Sequence, residues 1–425
     1  MTPDTSTRVA VVGGARTPFA KAGTAFRKHS PLHLSVHSVN GLLAKLKLDP
    51  QSVEEFAYGI TVVDARIPHF ARDVVFASDL PSTTRALTLT NNCITGTSAI
   101  TAIYDSIVAG RAEIGIAGSV ESMSNPAVLF GRHASRIFLE AASMKTLGQR
   151  IRVLVRLRPR DFKPSVPGVE EPSTGLSMGE HTELMVKEWK ISREEQDEIA
   201  YQSHMNAHRA TEDGRLKAEI HPLDGIDHDL FIRPDTSLEK LARLSPVFDR
   251  SATGTLTAGN SSPLTDGAAS VSLMSEDRAR REGREPLAFI KAFEYVAIDP
   301  KDGLLMGPGV AVPRLLRRVG VGVGVGLTLA DLDLIEMHEA FGGQVACNLK
   351  AWKQGWKEPA IGEVDRGKLN QLGSSIAVGH PFAATGARIV TTLANEMKRR
   401  NARLGLVSIC AAGAQASAMI LERDV

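Results

Sequence analysis

The 425-residue sequence predicts an α/β fold, and three features predict it. Short apolar runs such as Arg8-Val-Ala-Val-Val-Gly-Gly-Ala15 read as buried strands that end in glycine turns. Longer stretches carry helical apolar spacing, as 32–48 does before Pro50. The order strand, turn with a reactive residue, helix, strand, small-residue turn then occurs twice, once around Cys93 and once around His380. That recurrence reads either as an internal duplication with both turns on one rim, or as two unrelated α/β stretches.

Taken in order, Thr88 to Thr90 reads as a strand end, and Asn91-Asn92-Cys93-Ile94-Thr95-Gly96 as a turn of small residues. Ile100, Ile103 and Ile107 fall at helical intervals after it, and Gly110 suits the left-handed residue that closes a helix. Glu113-Ile-Gly-Ile-Ala117 is the next strand. A proline-rich connector at 164–172 precedes a helix that Ser192 and Glu195 open as a capping box and that runs to Ala210. Alternating Val and Gly at 320–326 read as a connector. Near the C-terminus, a glycine-rich turn at 373–379 leads through His380-Pro381 into a helix bearing Ile389, Leu393 and Met397. Its last residues, Lys398-Arg399-Arg400, suit the C-terminal dipole. The uncharged run 404–421 is long enough to span a membrane, but Gly405, Ser408, Gly413, Gln415 and Ser417 interrupt it. Two buried strands joined by an Ala/Gly turn fit it better.

Charged residues are 23% and hydrophobic residues 43% of the chain, which excludes wholesale disorder. The net charge of +2 lacks the basic footprint of a nucleic-acid binder, so no nucleic-acid partner is expected. The charge is unevenly spread: 131–163 holds nine Lys/Arg against Glu140 and Asp161, a local +7. Three cysteines are too few for a disulfide framework, and the start of the chain lacks the pattern of a signal or transit peptide. The expectation is a cytoplasmic protein.

Cys93, His338, His380 and Cys410 stand at element ends, where catalysis places its residues. A cysteine just before a helix N-terminus is expected to have a lowered thiol pKa, which makes Cys93 a candidate nucleophile. A free cysteine is also a small buried hydrophobe, the reading that suits Cys347. His380, on a glycine-flanked loop, is placed to take the thiol proton, although a lone histidine is more often structural than catalytic.

Six strings occur in order: Arg16-Thr-Pro-Phe19, Gly118-Ser-Val-Glu-Ser-Met-Ser-Asn125, Gly254-Thr-Leu-Thr-Ala-Gly-Asn-Ser-Ser262 with Asp266-Gly-Ala-Ala269, His338-Glu-Ala-Phe341, Gly379-His-Pro381 with Thr385-Gly-Ala-Arg388, and a late Cys410. In this order the sequence resembles the thiolase family along essentially its whole length. His338-Glu-Ala-Phe341, Arg158-Pro-Arg-Asp161 and Glu171-Pro-Ser-Thr-Gly-Leu-Ser-Met-Gly-Glu180 resemble its 3-ketoacyl-CoA thiolase branch, which includes the β subunit of the trifunctional fatty-acid oxidation complex. Two departures stand out. The family usually has Cys-x-Ser where this chain has Cys93-Ile94-Thr95, and glycines where it has Ala411-Ala412.

The resemblance implies a thiolase-like α/β fold of two duplicated βαβαβαββ halves, 1–125 with 250–280 and 281–425, and an inserted loop domain at 126–249. It implies thiolysis of 3-ketoacyl-CoA to acetyl-CoA and a shortened acyl-CoA in fatty-acid β-oxidation, with coenzyme A as substrate and no metal or other cofactor. Cys93 would carry the acyl group, His380 would activate it, and Cys410, with a thiol pKa tuned below its usual 8.5 or so, would be the acid and base. His380 and a water held by His338 would form one oxyanion site, and the backbone N–H groups of Cys93 and Ala412 the other. Arg233 would approach the CoA nucleotide, Ser262 its pantetheine arm and Met178 the acyl pocket, with Phe341 among the substrate contacts. A homo-oligomer, dimer or tetramer, is implied. Segment 131–163 reads as a solvated face paired with the acidic remainder, as a contact to the CoA phosphates or, as the resemblance favours, as a docking surface for a hydratase/dehydrogenase α subunit or an anionic membrane, the last of which would make the protein peripheral to a membrane. The other readings are condensation of two acetyl-CoA, a ketosynthase-like enzyme, which Cys410 argues against, and a non-catalytic scaffold subunit, which the intact set of four argues against.

Overall fold

The computed structural model describes residues 7–163, 170–319 and 326–425. The start of the chain, most of the proline-rich connector and most of the Val/Gly connector lie outside these residues. Among the described residues ten strands form one sheet: β1 (Val9–Arg16), β2 (Ala20–Lys21), β3 (Glu55–Ile60), β4 (Arg85–Leu89), β5 (Ile114–Ser122), β6 (Thr265–Ser275), β7 (Ala288–Ala297), β8 (Leu334–Met337), β9 (Leu404–Ala411) and β10 (Gln415–Glu422). Their order is β4-β3-β5-β6-β1-β7-β10-β9-β8, with β2 beside β6.

That order is a mirrored repeat. From β3 to β1 the pairings are parallel, antiparallel, antiparallel, and from β8 to β7 they are the same. The halves join where β1 meets β7, antiparallel through Ala10↔Phe289 and Val11↔Ala288. The recurrence in the sequence is therefore a recurrence of topology. β1, β5, β6 and β9 are buried along their whole lengths, which is why they read as continuous apolar or small-residue runs rather than alternating ones. The run 404–421 is β9 and most of β10, turned by Gly413 (φ 76°) and Ala414 (φ 54°). Among the described residues no helix is long and apolar enough to cross a membrane.

Equivalent helices follow the two reactive turns, Thr95–Val108 and Thr385–Arg400. Ile100, Ile103 and Ile107 of the first share one apolar cluster with Ile389, Leu393 and Met397 of the second. Burying each such side chain contributes roughly 1.5–3 kcal/mol. The first turns of the two helices meet at two glycines. A Cβ on Gly96 would lie 2.6 Å from the Ala387 backbone N, and one on Gly386 2.5 Å from the Thr97 backbone N. Both reactive turns are thereby drawn to one place.

By compactness, the main unit comprises the described residues of 1–61, 69–125 and 170–425. It includes helix Arg193–Glu212, which Ser192 and Glu195 open with the expected capping box. The second unit comprises 62–68 and the described part of 126–169. Its helices Arg132–Ser143 and Leu147–Leu154 enclose a small core of Ile137, Ala141 and Val153, and Arg156 pairs with Glu140 at 2.7 Å. Leu139, Leu147 and Val155 are each 72% exposed there, an apolar surface threaded with arginines.

Candidate active site

Cys93 sits in a single 3-10 turn, Asn92–Ile94, that leads directly into helix Thr95–Val108. Asn92 takes the left-handed conformation (φ 47°), which Asn tolerates better than most residues. Thr95 Oγ1 accepts from Asn91 N (2.8 Å) and donates to Asn92 O (2.7 Å), closing the turn with the hydroxyl that Thr shares with Ser. The methyl that Thr adds is accommodated by Gly59, where a Cβ would lie 2.0 Å from Thr95 Cγ2.

The second reactive turn brings His380 Nε2 to 3.3 Å from Cys93 Sγ. The other ring nitrogen, Nδ1, is 2.6 Å from Thr385 Oγ1. His338 follows β8, with its ring centroid 4.1 Å from that of His380 and its Nδ1 2.7 Å from Ser375 Oγ. Its Nε2 has no hydrogen-bond partner among the described residues. One ring nitrogen of each histidine and the Cys93 sulfur all lie within 4.8 Å of one another. Cys410, at the end of β9, is 1% exposed, and its turn is tied to that of Cys93 by Asn92 Nδ2 donating to Ala412 O at 3.0 Å. On the far side of this turn, Gly413 N donates to Glu171 Oε2 at 3.0 Å. Ala411 and Ala412 lie outside the left-handed region, so alanine replaces glycine there without backbone strain.

The electrostatics correct the expectation of a lowered Cys93 pKa. Burial pushes the thiol up to about 12; backbone N–H groups of Ala412 and of Cys93 itself draw it back, and the charge of Glu121 adds to the rise. The helix N-terminus is present, but desolvation outweighs it. Cys410 is likewise not tuned downward: burial and the neighbouring Cys93 push it well above its ordinary value. Burial, helped by the charge of Arg388, pushes His380 down to about 3. His338 is well below its ordinary value through burial, His380 and Arg388. At neutral pH the four groups are therefore two thiols and two uncharged imidazoles. The 3.3 Å between Cys93 Sγ and His380 Nε2 is a direct path for a proton between the two groups.

The other expected contacts are spread over the main unit. Met178 begins helix Met178–Glu188 and packs against the core cluster that contains Phe341 and Cys410. Phe341 is 8% exposed and meets Phe248 edge-to-face at 5.6 Å. Ser262 N donates to Ala340 O (3.0 Å), which places it beside the His338 loop. Arg233 is exposed, its guanidinium 4.9 Å over the Phe231 ring. Cys347 is fully buried in helix Gly342–Gln354, as its core reading expects. Sequence reasoning missed Asn92, Ser375, Thr385, Arg388 and Glu171 as supports of the site. Arg388 and Glu171 lie inside strings that signalled the family, whereas Ser375 gives no signal beyond its place in a turn.

The sequence family Thiolase, N-terminal domain matches residues 9–277, and Thiolase, C-terminal domain matches 284–423. A 3-ketoacyl-CoA thiolase of Colwellia psychrerythraea is 40% identical over 100% of this chain and 99% of its own length. One from Pectobacterium carotovorum is 42% identical over 98% and 96%. Among solved structures, the Bacillus anthracis acetyl-CoA acetyltransferase superposes with a TM-score of 0.84 at 30% identity, covering 98% of each chain. Human mitochondrial 3-ketoacyl-CoA thiolase superposes at 0.82 and 29% identity, covering 99% of each.

Proposed function

The chain belongs to the thiolase family, and from that premise we propose that it is a 3-ketoacyl-CoA thiolase of fatty-acid β-oxidation. The observation that carries the reading is the Cys93–His380 contact at 3.3 Å, with Cys410 buried next to Cys93. The Cys93 thiol gives its proton to His380, and the thiolate attacks the 3-keto carbon. The C2–C3 bond breaks, its electron pair leaves as the acetyl-CoA enolate, and Cys410 protonates C2. Incoming CoA then gives its thiol proton to the Cys410 thiolate and attacks the acyl-Cys93. The shortened acyl-CoA departs, and Cys93 recovers its proton from His380. His380 and a water held by His338 stabilise one oxyanion, and the N–H groups of Cys93 and Ala412 the other. Met178, Phe341, Ser262 and Arg233 line the path of the acyl chain and CoA.

Among the described residues β4 stands at one end of the sheet, and its Leu87 is 49% exposed, which supports a dimer or tetramer. The basic segment 131–163, with its exposed leucines, is the attachment surface in this reading, for a hydratase/dehydrogenase α subunit or an anionic membrane, on a cytoplasmic enzyme. In domain terms the halves are 1–125 with 250–280 and 281–425, and 126–249 is the loop domain.

Initial thiolysis rates across 3-ketoacyl-CoA chain lengths, followed by loss of enolate absorbance, test the reading. Faster cleavage of longer substrates is expected. Equal or higher rates on acetoacetyl-CoA would assign the condensing direction instead.

A further inference from the structure

His338 and His380 each have Nδ1 on a hydroxyl and Nε2 toward the reacting atoms, yet the two hydroxyls have different commitments. Ser375 Oγ receives a hydrogen bond from Arg388 Nη2 at 3.2 Å. A guanidinium has donors only, so this bond uses an acceptor site of the hydroxyl and leaves its proton free. Ser375, His338 and Arg388 are 0%, 0% and 1% exposed, so water does not take that proton. Among the described residues the one remaining partner of the Ser375 hydroxyl is His338 Nδ1, at 2.7 Å. Leaving a buried hydroxyl proton without an acceptor is unfavourable. Thr385 Oγ1, by contrast, faces the Pro381 carbonyl at 3.4 Å, which takes its proton and leaves it to accept from His380 Nδ1.

We infer that Arg388 and Ser375 are positioning residues that hold His338 in its Nε2–H tautomer, opposite to His380. This rests on the thiolase reading for its consequence but not for its geometry. His380 Nε2 is then a base facing Cys93, while His338 presents a fixed, uncharged N–H donor where the thioester oxygen becomes an oxyanion. Its Nε2 is buried and without a partner among the described residues, as expected of a donor kept for substrate or for the water that bridges to it. Arg388 has two further holds on the loop. The same Nη2 donates to Ser374 Oγ at 3.2 Å, and its charge disfavours protonation of both histidines. Burial disfavours the charge of the guanidinium, and the acidic side chains of Glu336, Glu219 and Glu339 favour it against the opposing charge of Arg16. No proton leaves His338 in this scheme. Its tautomer is set before substrate arrives.

The test uses the full-length enzyme labelled with 15N-histidine. Long-range 1H–15N correlation, with His338 assigned by its loss in His338→Asn, should find Nε2 protonated and Nδ1 bare at pH 7. A protonated Nδ1 would overturn the inference regardless of activity. Kinetics form the second arm. Ser375→Ala should lower kcat on the order of 10-fold, as loss of an outer support typically does, with a smaller change in KM. Ser375→Thr, which keeps the hydroxyl, should recover most of it. In a His338→Asn background, Ser375→Ala should change kcat less than about twofold, because the residue it acts through is gone. An undiminished loss in that background would make Ser375 merely structural. Absence of thiolysis in the wild type would sink the proposed function while leaving the tautomer measurement to decide the rest.

Discussion

Cys93 Sγ and His380 Nε2, 287 positions apart in the chain, lie 3.3 Å from each other in the turns that lead into the joined N-terminal ends of two equivalent helices. The contact exists because Gly96 and Gly386 let those ends approach to backbone distance. Four expected outcomes test this arrangement and its surroundings.

Cys93 is expected to be the residue that becomes acylated. Incubation with a 3-ketoacyl-CoA in the absence of free CoA, followed by peptide mass mapping, should place the acyl group there. Cys93→Ala should lose several orders of magnitude in kcat, as members of a catalytic unit do. Acyl label on another residue in that variant would remove the assignment.

Cys410 is expected to move the α-proton. Burial keeps its thiol protonated at neutral pH, ready as an acid. Cys410→Ser should still be alkylated at Cys93 yet lose exchange of acetyl-CoA α-protons with deuterated solvent, since a serine hydroxyl is far weaker as an acid. Exchange at the wild-type rate would make Cys410 structural.

Glu336 makes stability pH-dependent. Burial raises it from an ordinary 4.5 to about 8, although Arg388 pulls the other way. A carboxyl raised on folding stabilises fully below its unfolded pKa, and that contribution is lost as pH rises through the folded value. Wild type should therefore weaken relative to Glu336→Gln between pH 5 and 8, by at most about 1.4 kcal/mol per pH unit. Denaturant midpoints measure it. A difference that does not vary with pH would show that Glu336 keeps an ordinary pKa.

Glycine substitutions separate close approach from open space. Gly96→Ala drives a methyl against the Ala387 backbone and should cost about 1–3 kcal/mol along with activity. Gly148→Ala, inside helix Leu147–Leu154 with nothing within 4 Å of the added methyl, should stabilise its own unit by about 0.5–1 kcal/mol. Thermal unfolding of the two variants gives the comparison, and equal effects would contradict the packing at Gly96.

Much of this protein is legible in the chain itself because local rules act over a few residues. Apolar runs marked β1 and β9, Ser192 and Glu195 marked a helix start, and glycines marked the turns that carry Cys93 and His380. The four reactive residues stand out by type and by position at element ends. Their electrostatics do not. The helix N-terminus beside Cys93 argues for a lowered pKa, whereas the folded site raises it to about 12. Nor does any spacing rule place Arg388 behind Ser375, Thr95 against Gly59 or Glu171 on Gly413. Propensity and capping are properties of neighbours along the chain, but desolvation and the commitment of a hydroxyl proton are set by whichever atoms surround a group. Here those atoms come from segments up to hundreds of residues away, so only the tertiary structure decides them.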